Sequence, residues 1–552
     1  MAEIPSTGIW EFLFERDQLP FPPDHVIFES SSRQLSYTYQ DVKARARQFG
    51  HSLQRSDWGW RKGDVLMVMS PNSVEVPALV WGCHYAGGIV APINPELLAA
   101  DLYQQLTSSG AKGLVVHPQC LETALRAFEL GDLSNVHLLA LGENSHGVQT
   151  TAGFTKGSRT AATLKSVGHT PVNPTEDLAY LVYSSGTTGK PKAVMITHRN
   201  VVAAVLLQAR VEGPHVSWQH DKTLAVLPIY HIYGLICLVH LPMWLGTTTT
   251  YMEKYQLDAF CRIMQEHAIT HAYVAPPIVL RLAKEPAVQS YNLASLRMLT
   301  SGGAPLAAAL IEELYQKAQI PVRQAYGLSE TTSVSHIQPR NSWMDNIGSN
   351  GPPLPGLQAK FVCADNSEAK AGEEGELWVR GPTVFVGYRN EPAMTADTIT
   401  PDGWFKTGDI GYEDEGGNLY ITDRSKDMIK YKGYQIAPAE LEDILLHHPA
   451  VADAAVVSII NSHLQTEVPL AYVKLKDKSN ETVKTARDVI SHVNSRVIHY
   501  KQLRGGVIWT SEIPKTSSGK IRKRELRDQA RGVDQGKQVG AVDYAMYRKQ
   551  KI

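Results

Sequence analysis

Cysteine is scarce in this chain of 552 residues, with five in all: Cys83, Cys120, Cys237, Cys261 and Cys363. They stand far apart, with no C-x-x-C pair and no spacing suited to a metal. That argues against a zinc or disulfide framework and for a reducing compartment. Excess charge of one sign is also missing. Lys and Arg number 54 against 55 Asp and Glu, a formal net charge of −1, so the strongly basic footprint of a nucleic-acid partner is absent. The basic stretch Lys520-Ile521-Arg522-Lys523-Arg524 is local and reads as a solvated helix face. The start, Met1-Ala2-Glu3-Ile4, runs into Glu11, Glu15, Arg16 and Asp17. It has neither the basic head nor the apolar run of a secretory signal. No fixed-period repeat and no low-complexity tract occurs.

Long apolar runs are nearly absent too. From 232 to 252 there is no formal charge, and the length suits a spanning helix. Pro242, His240 and the threonine run 247–250 weaken that reading, and basic flanks are missing on one side. A buried core helix and strand is expected there, and no membrane span.

What is present is ordinary globular material, 43% apolar and 20% charged. At roughly 150 residues per domain, the length allows about three or four domain-sized units. Between residues 60 and 145, strands at 64–70, 88–94 and 113–117 alternate with helices at 98–109 and 121–129. Val74, Val76, Leu79, Val80 and Cys83 lie broadly on one face of a further helix. This alternation predicts a largely parallel sheet covered by helices on both faces. It returns with strands at 271–275, 296–300 and 322–325 and a helix at 306–318, and a β-rich passage spans 348–420. Beyond a boundary near Asp423–Lys426 comes a compact αβ set: helix 438–447, strands 454–460 and 470–476, helix 485–497. Pro438 and Glu440 give that first helix its N-terminal signal. The fold class is α/β: a large N-terminal domain (1–424) of helix-covered, largely parallel sheets with a β-rich subdomain. A small mobile α+β domain (425–530) and a polar tail (531–552) follow.

The sharpest local feature is Tyr183-Ser184-Ser185-Gly186-Thr187-Thr188-Gly189-Lys190-Pro191-Lys192. An apolar run at 178–183 enters it, and another at 194–196 leaves it. Glycines with bare N–H groups, hydroxyls and lysines between short strands suit a phosphate cradle, and read alone the stretch also fits a polar hairpin turn. Its Gly-x-x-Gly-Lys spacing is not that of a Walker A loop. Gln324-Ala325-Tyr326-Gly327-Leu328-Ser329-Glu330-Thr331-Thr332 offers an aromatic face, a hydroxyl and a carboxylate, the parts needed to stack a base and hold Mg²⁺ on phosphates. In Gly403-Trp404-Phe405-Lys406-Thr407-Gly408-Asp409, Asp409 can accept both ribose hydroxyls, and Arg424 can donate to ribose or phosphate. A turn aspartate and a surface ion pair are the alternative. Pro514-Lys515-Thr516-Ser517-Ser518-Gly519-Lys520 is either an exposed lysine loop or a mobile cation delivered to a phosphate.

In this order and spacing the motifs resemble the adenylate-forming superfamily: acyl-CoA ligases, peptide-synthetase adenylation domains and beetle luciferases. The likeness runs from about Leu35 to Arg527. It is nearest to hydroxycinnamate–CoA ligases and luciferases, through Leu227-Pro228-Ile229-Tyr230-His231-Ile232-Tyr233-Gly234 and Ile429-Lys430-Tyr431-Lys432-Gly433-Tyr434-Gln435.

The resemblance implies a role for each matching residue. Ser184, Ser185, Gly186, Thr187, Thr188, Gly189, Lys190 and Lys192 would hold the β- and γ-phosphates. Gly302, Gly303 and Ala304 would wall the adenine and Tyr326 stack on it, with Ala325, Gly327 and Ile421 beside the nucleotide. Ser329, where threonine is usual, would contact the α-phosphate, Glu330 would hold Mg²⁺, and Asp409 and Arg424 the ribose. His231 would line the acyl site, whose pocket would comprise Tyr233, Cys237, Thr300, Gly327, Leu328 and Val334, an apolar slot for an aryl or medium-chain acid. Lys426 falls at the hinge. Lys430 and Lys520 would alternate in the active site as the small domain turns, and Gly433 and Tyr434 would edge the coenzyme A channel. Ala193 stands where a glycine is common, and Thr300 where several plant hydroxycinnamate ligases carry a lysine.

The implied reaction joins a carboxylic acid to ATP, giving acyl-AMP and pyrophosphate, and then passes the acyl group to coenzyme A. One rival acceptor is a carrier-protein thiol acting in trans. A non-catalytic nucleotide-binding paralogue would have no need of Glu330, Lys430 and Lys520 together. The end, Gln550-Lys551-Ile552, echoes the last two slots of a Ser-Lys-Leu peroxisomal address; the expected location is cytoplasmic, with peroxisomal as the alternative.

Overall fold

The computed structural model describes residues 3–32, 34–55, 59–142, 147–156, 168–184, 192–424, 427–431, 434–461, 466–497, 499–516 and 519–531. The chain forms two compact units: one of 1–303, 313–359 and 379–405, and one of 304–312, 360–378 and 406 onward.

Among the described residues, two sheets build the first unit. In one, the order is Gly387–Tyr388, Lys192–Thr197, Leu178–Ser184, Ile89–Ile93, Val65–Met69, Ala111–Val116, His137–Ala140. The last five strands run parallel, and Lys192–Thr197 turns back antiparallel. The parallel strands read as continuous apolar runs because both faces are covered: Val65–Met69 and Ile89–Ile93 are buried at every position. The outer helices Ala99–Ser109 and Leu121–Glu129 bury one face each. Helix Val76–Tyr85, expected to bury one face, is buried all round. The reason is a second helix, Tyr39–Leu53, packed where glycines let the backbones approach: a Cβ on Gly82 would stand 2.6 Å from the Ala46 carbonyl oxygen.

The other sheet has the order Ser333–Ile337, Val322–Leu328, Met298–Ser301, His271–Val274, Lys222–Ala225, Thr248–Tyr251, Val26–Ser30, Ser36–Thr38. Its inner strands are parallel and its outermost pairs antiparallel. The uncharged stretch 232–252 is helix Ile232–Leu235, a π-helical turn Ile236–His240, helix Leu241–Leu245 and strand Thr248–Tyr251. It is core, as expected, and among the described residues no helix is long and apolar enough to cross a membrane.

The second unit holds most of a four-stranded sheet, Gln358–Val362, Gly375–Arg380, Phe405–Glu413 and Leu419–Arg424. It also contains the C-terminal αβ set, with helix Pro438–Leu446, the antiparallel pair Val451–Asn461 and Thr466–Leu475, and helix Val483–Asn494. The main domain boundary expected near Asp423–Lys426 falls inside this unit, because the last division between the two units comes earlier, between Phe405 and Lys406. In the basic stretch, Lys523 lies 3.1 Å from Glu442, and Arg522 and Arg524 lie 3.8 and 3.9 Å from Glu525 and Asp528. Arg522 and Arg524 thus face carboxylates of the helix Lys523–Arg531 itself, whereas Lys523 is largely buried against helix Pro438–Leu446.

Candidate active site

The phosphate-loop motif connects two antiparallel strands whose last described pair is Ser184 opposite Lys192. Ser185, Gly186, Thr187, Thr188, Gly189 and Lys190 lie outside the described residues, as do Lys426 and Gly433, and so do the side chains of Arg424, Lys430 and Tyr434. At the exit of the loop the Lys192 ammonium stands 5.4 Å from the centre of the Tyr388 ring. Tyr388 pairs with Val194 in the same sheet. Its hydroxyl donates to Oε1 of Glu330 at 2.9 Å, while the Phe385 N–H donates to the Glu330 carbonyl at 2.9 Å. A strap at 385–389 thus joins the loop's exit strand to the expected metal ligand.

Glu330 sits in a tight turn. Thr332 and Ser333 both adopt left-handed conformations, φ 50° and 85°, which cost about 1–3 kcal/mol each for non-glycine residues and gather at functional sites. Thr332 is held by its N–H on the Ser329 carbonyl (3.1 Å) and its hydroxyl on the Thr383 carbonyl (2.7 Å). Thr331 takes the Leu328 N–H at 2.9 Å and gives its own proton to the Ser333 carbonyl at 2.9 Å. Gly327 is obligatory, since a Cβ there would stand 2.0 Å from the Ser333 carbonyl oxygen. Ser329 is buried and Glu330 half-buried. The Tyr326 ring meets His336 edge-on at 5.9 Å.

On the acyl side, Asn72 fixes the aromatic loop. Its side-chain amide donates to the carbonyls of Ala225 (3.1 Å) and Leu227 (2.9 Å) and accepts from the Ile229 N–H (2.9 Å). His231 then caps helix Ile232–Leu235, its Nδ1 accepting from the Tyr233 N–H at 3.4 Å. The Tyr233 hydroxyl donates to the Thr300 carbonyl at 3.0 Å, and burial pushes its pKa well up. Gly302 is tightly enclosed: a Cβ would stand 3.1 Å from the Ala325 carbonyl oxygen and 3.2 Å from the Tyr233 ring, so a side chain there would require its neighbours to shift. Cys237 donates to Gln208 Oε1 at 3.2 Å and lies 3.9 Å from the Ser333 hydroxyl. Burial raises its pKa so far that it stays a thiol at neutral pH. Val334 is buried and Leu328 half-buried.

The expected slot was apolar, but ions stand beside it. Thr300 Oγ1 accepts from Arg323 Nε at 2.9 Å. The fully buried Arg323 pairs with buried Glu212, which also takes Arg340 Nε at 3.1 Å.

In the second unit Asp409 is buried and pairs across the sheet with Arg424, and Ile421 pairs with Gly411. The hairpin thus brings the two expected ribose ligands opposite each other at the backbone. Ala304 belongs to this unit, Gly302 and Gly303 to the first. Lys430 and Tyr434 lie on the paired strands Ile429–Tyr431 and Tyr434–Ile436. The Lys520 N–H donates to Thr516 Oγ1 at 3.1 Å, and the Thr516 N–H to the Lys520 carbonyl at 2.8 Å. Lys515 in the same motif is committed to Asp453 at 2.5 Å.

Residues 14–389 match the family described as AMP-binding enzyme, and 440–520 match its C-terminal domain. The chain belongs to the AMP-binding enzyme family. A 4-coumarate–CoA ligase of Arabidopsis thaliana is 35% identical over 504 residues, covering 89% of this chain and 86% of that protein. One from Nicotiana tabacum is 33% identical over 511 residues, 91% and 90% of the two chains. The ATP-bound structure of MatB from Rhodopseudomonas palustris superposes with a TM-score of 0.82 at 25% identity, covering 95% of this chain and 99% of that one. This AMP-binding enzyme is an AMP-forming acid–thiol ligase with the adenylate-forming fold. Its motifs were legible in sequence, but Asn72, Glu212, Arg323, Arg340 and Tyr388 were not singled out. Each is a common residue type far along the chain from its partner, so no local signal marks it.

Proposed function

We propose that this ligase activates an aryl or medium-chain carboxylic acid as its acyl-adenylate and transfers the acyl group to coenzyme A. The observation that carries the reading is Gly302, wedged between the Ala325 carbonyl on the nucleotide side and the Tyr233 ring on the acyl side. A site built to join an acid to a nucleotide needs both ligands to meet at one place with no side chain between them.

Tyr326 stacks the adenine against Gly302, Gly303 and Ala304; Asp409 and Arg424 hold the ribose, and Ser184 to Lys192 hold the phosphates. Mg²⁺ fits at Glu330, a half-buried carboxylate whose Oε1 accepts from the neutral Tyr388 hydroxyl. A single carboxylate suits this ion, which takes its other ligands from phosphates and water. Bound there, the ion would offset charge on the departing pyrophosphate. Lys520 bridges the acid's carboxylate and the α-phosphate and holds the attack in line. The small domain, 425–530, then turns about Lys426. That exchange removes Lys520 and brings up Lys430, with Gly433 and Tyr434 along the thiol's path. His231 closes the acyl site, and exclusion of water protects the adenylate.

The test is a pyrophosphate-release screen against aryl, arylalkyl and fatty acids, with and without coenzyme A. AMP and pyrophosphate formed with one acid class, faster with coenzyme A, is the expected result. Release that coenzyme A leaves unchanged would favour a carrier-protein thiol, and no release with any acid would favour a non-catalytic paralogue.

A further inference from the structure

Tyr388 touches both sides of the phosphate site without belonging to any motif that carries the chemistry. Its N–H donates to Thr395 Oγ1 at 2.9 Å, and its ring meets Phe385 edge-on at 4.9 Å. The residues around it are stitched to the loop's exit strand, Val386 N–H to the Met195 carbonyl at 3.1 Å and Arg389 N–H to the Ala193 carbonyl at 2.9 Å. Upstream, the Asn200 amide donates to the carbonyls of Pro382 (2.8 Å) and Val384 (2.9 Å). The strap is therefore rigid where Tyr388 leaves it. From there the phenol reaches Glu330 Oε1 at 2.9 Å, and the ring lies under the Lys192 ammonium at 5.4 Å.

We propose that Tyr388 is the positioning residue of the nucleotide's metal site, its hydroxyl fixing Glu330 Oε1 so that Oε2 is the oxygen presented to the divalent cation. The inference rests on the reading of Glu330 as the metal ligand. A carboxylate on a flexible two-carbon stem has several rotamers, and one hydrogen bond to a rigid donor selects among them. A neutral donor does this without cancelling the charge the metal needs, as a lysine or arginine would. The ring acts separately. It steadies Lys192 by a cation–π contact, which holds a mobile ammonium near the phosphates while leaving its donors open. Tyr388 is 7% exposed and part of a strand pair, so Tyr388→Phe keeps the packing, the strand and the ring face and removes one oxygen.

The experiment measures Mn²⁺ binding by electron paramagnetic resonance on the full chain, with an ATP analogue bridged by methylene between the α- and β-phosphates. Removing a partner that orients a metal ligand typically costs about 10–100-fold in metal affinity. For Tyr388→Phe we expect a loss of about tenfold in Mn²⁺ affinity, unchanged binding of the metal-free analogue, and an acid KM equal to that of the parent. Tyr388→Leu should lose the same Mn²⁺ affinity and also weaken the metal-free analogue, because Lys192 loses the ring. Unchanged Mn²⁺ affinity in Tyr388→Phe would overturn the proposal. So would an equal loss of metal-dependent and metal-free binding in that variant, which would make the hydroxyl merely structural. The parent's own nucleotide and Mn²⁺ binding tests the functional reading, and only the difference between parent and Tyr388→Phe tests this one.

Discussion

Arg323 and Glu212 form an ion pair with essentially no exposed surface, 0% and 2%, and through it Thr300 is held in place at 2.9 Å. Taking two charges out of water is costly, and removing one partner of such a pair typically costs about 3–5 kcal/mol. Arg323→Met should therefore lower stability by about that much, read from the urea midpoint, even though Arg340 still faces Glu212. A change below about 1 kcal/mol would mean that Arg340 alone satisfies the carboxylate.

The same pairing bears on substrate choice. Thr300 is 3% exposed and its oxygen already accepts from Arg323, so the position offers a substrate's phenol no cation. Cinnamic, phenylacetic or medium-chain fatty acids should outcompete coumaric and caffeic acids in mixed-substrate assays. A marked preference for the hydroxylated acids would show that recognition comes from elsewhere.

Asn72 braces the loop before His231 with three hydrogen bonds. Asn72→Leu should lower kcat/KM for the acid by about tenfold or more while leaving the KM for ATP near that of the parent, because misplacement of a positioning loop falls on one ligand only. Equal losses for both substrates would point to a general folding defect.

Acid sensitivity follows from buried histidines. Burial lowers His198 and His336 to about 3, whereas an unfolded histidine titrates near 6.5. A folded pKa below the unfolded one means that the unfolded state binds more protons as pH falls. Stability is then full above about pH 6.5 and declines toward pH 3, by about 2 kcal/mol per residue at pH 5. The melting temperature should drop between pH 7 and 5, and His336→Gln should flatten that slope. An unchanged slope in the variant would remove His336 from the account.

Two lysines on separate segments make the sharpest kinetic test. Lys520→Ala should slow adenylation about 10²–10³-fold, the usual effect of losing one preorganised charge-stabilising group. Thioester formation from preformed acyl-AMP should stay near the parent rate. Lys430→Ala should do the reverse, with pyrophosphate exchange intact and thioester formation slow. Equal loss of both half-reactions in both variants would leave no place for two arrangements of the small domain.

Sequence alone determined the class of the fold and the motifs of the site. Apolar runs such as 65–69 between helical patterns force a covered parallel sheet, and the order of the glycine, hydroxyl and lysine motifs carries the family resemblance because those properties reside in adjacent residues. Gly327 was legible as part of a motif, but that its hydrogen is required emerged only with the Ser333 carbonyl 2.0 Å from the Cβ it lacks. Tertiary structure alone decided which ordinary residues support the special ones. Tyr388 meets Glu330 across 58 positions of chain, Asn72 meets Ile229 across 157, and Arg323 meets Glu212 across 111. A hydrogen bond or a buried charge pair depends on distance in space, and one chain carries no record of that distance until the sheets and the strap at 385–389 have closed it.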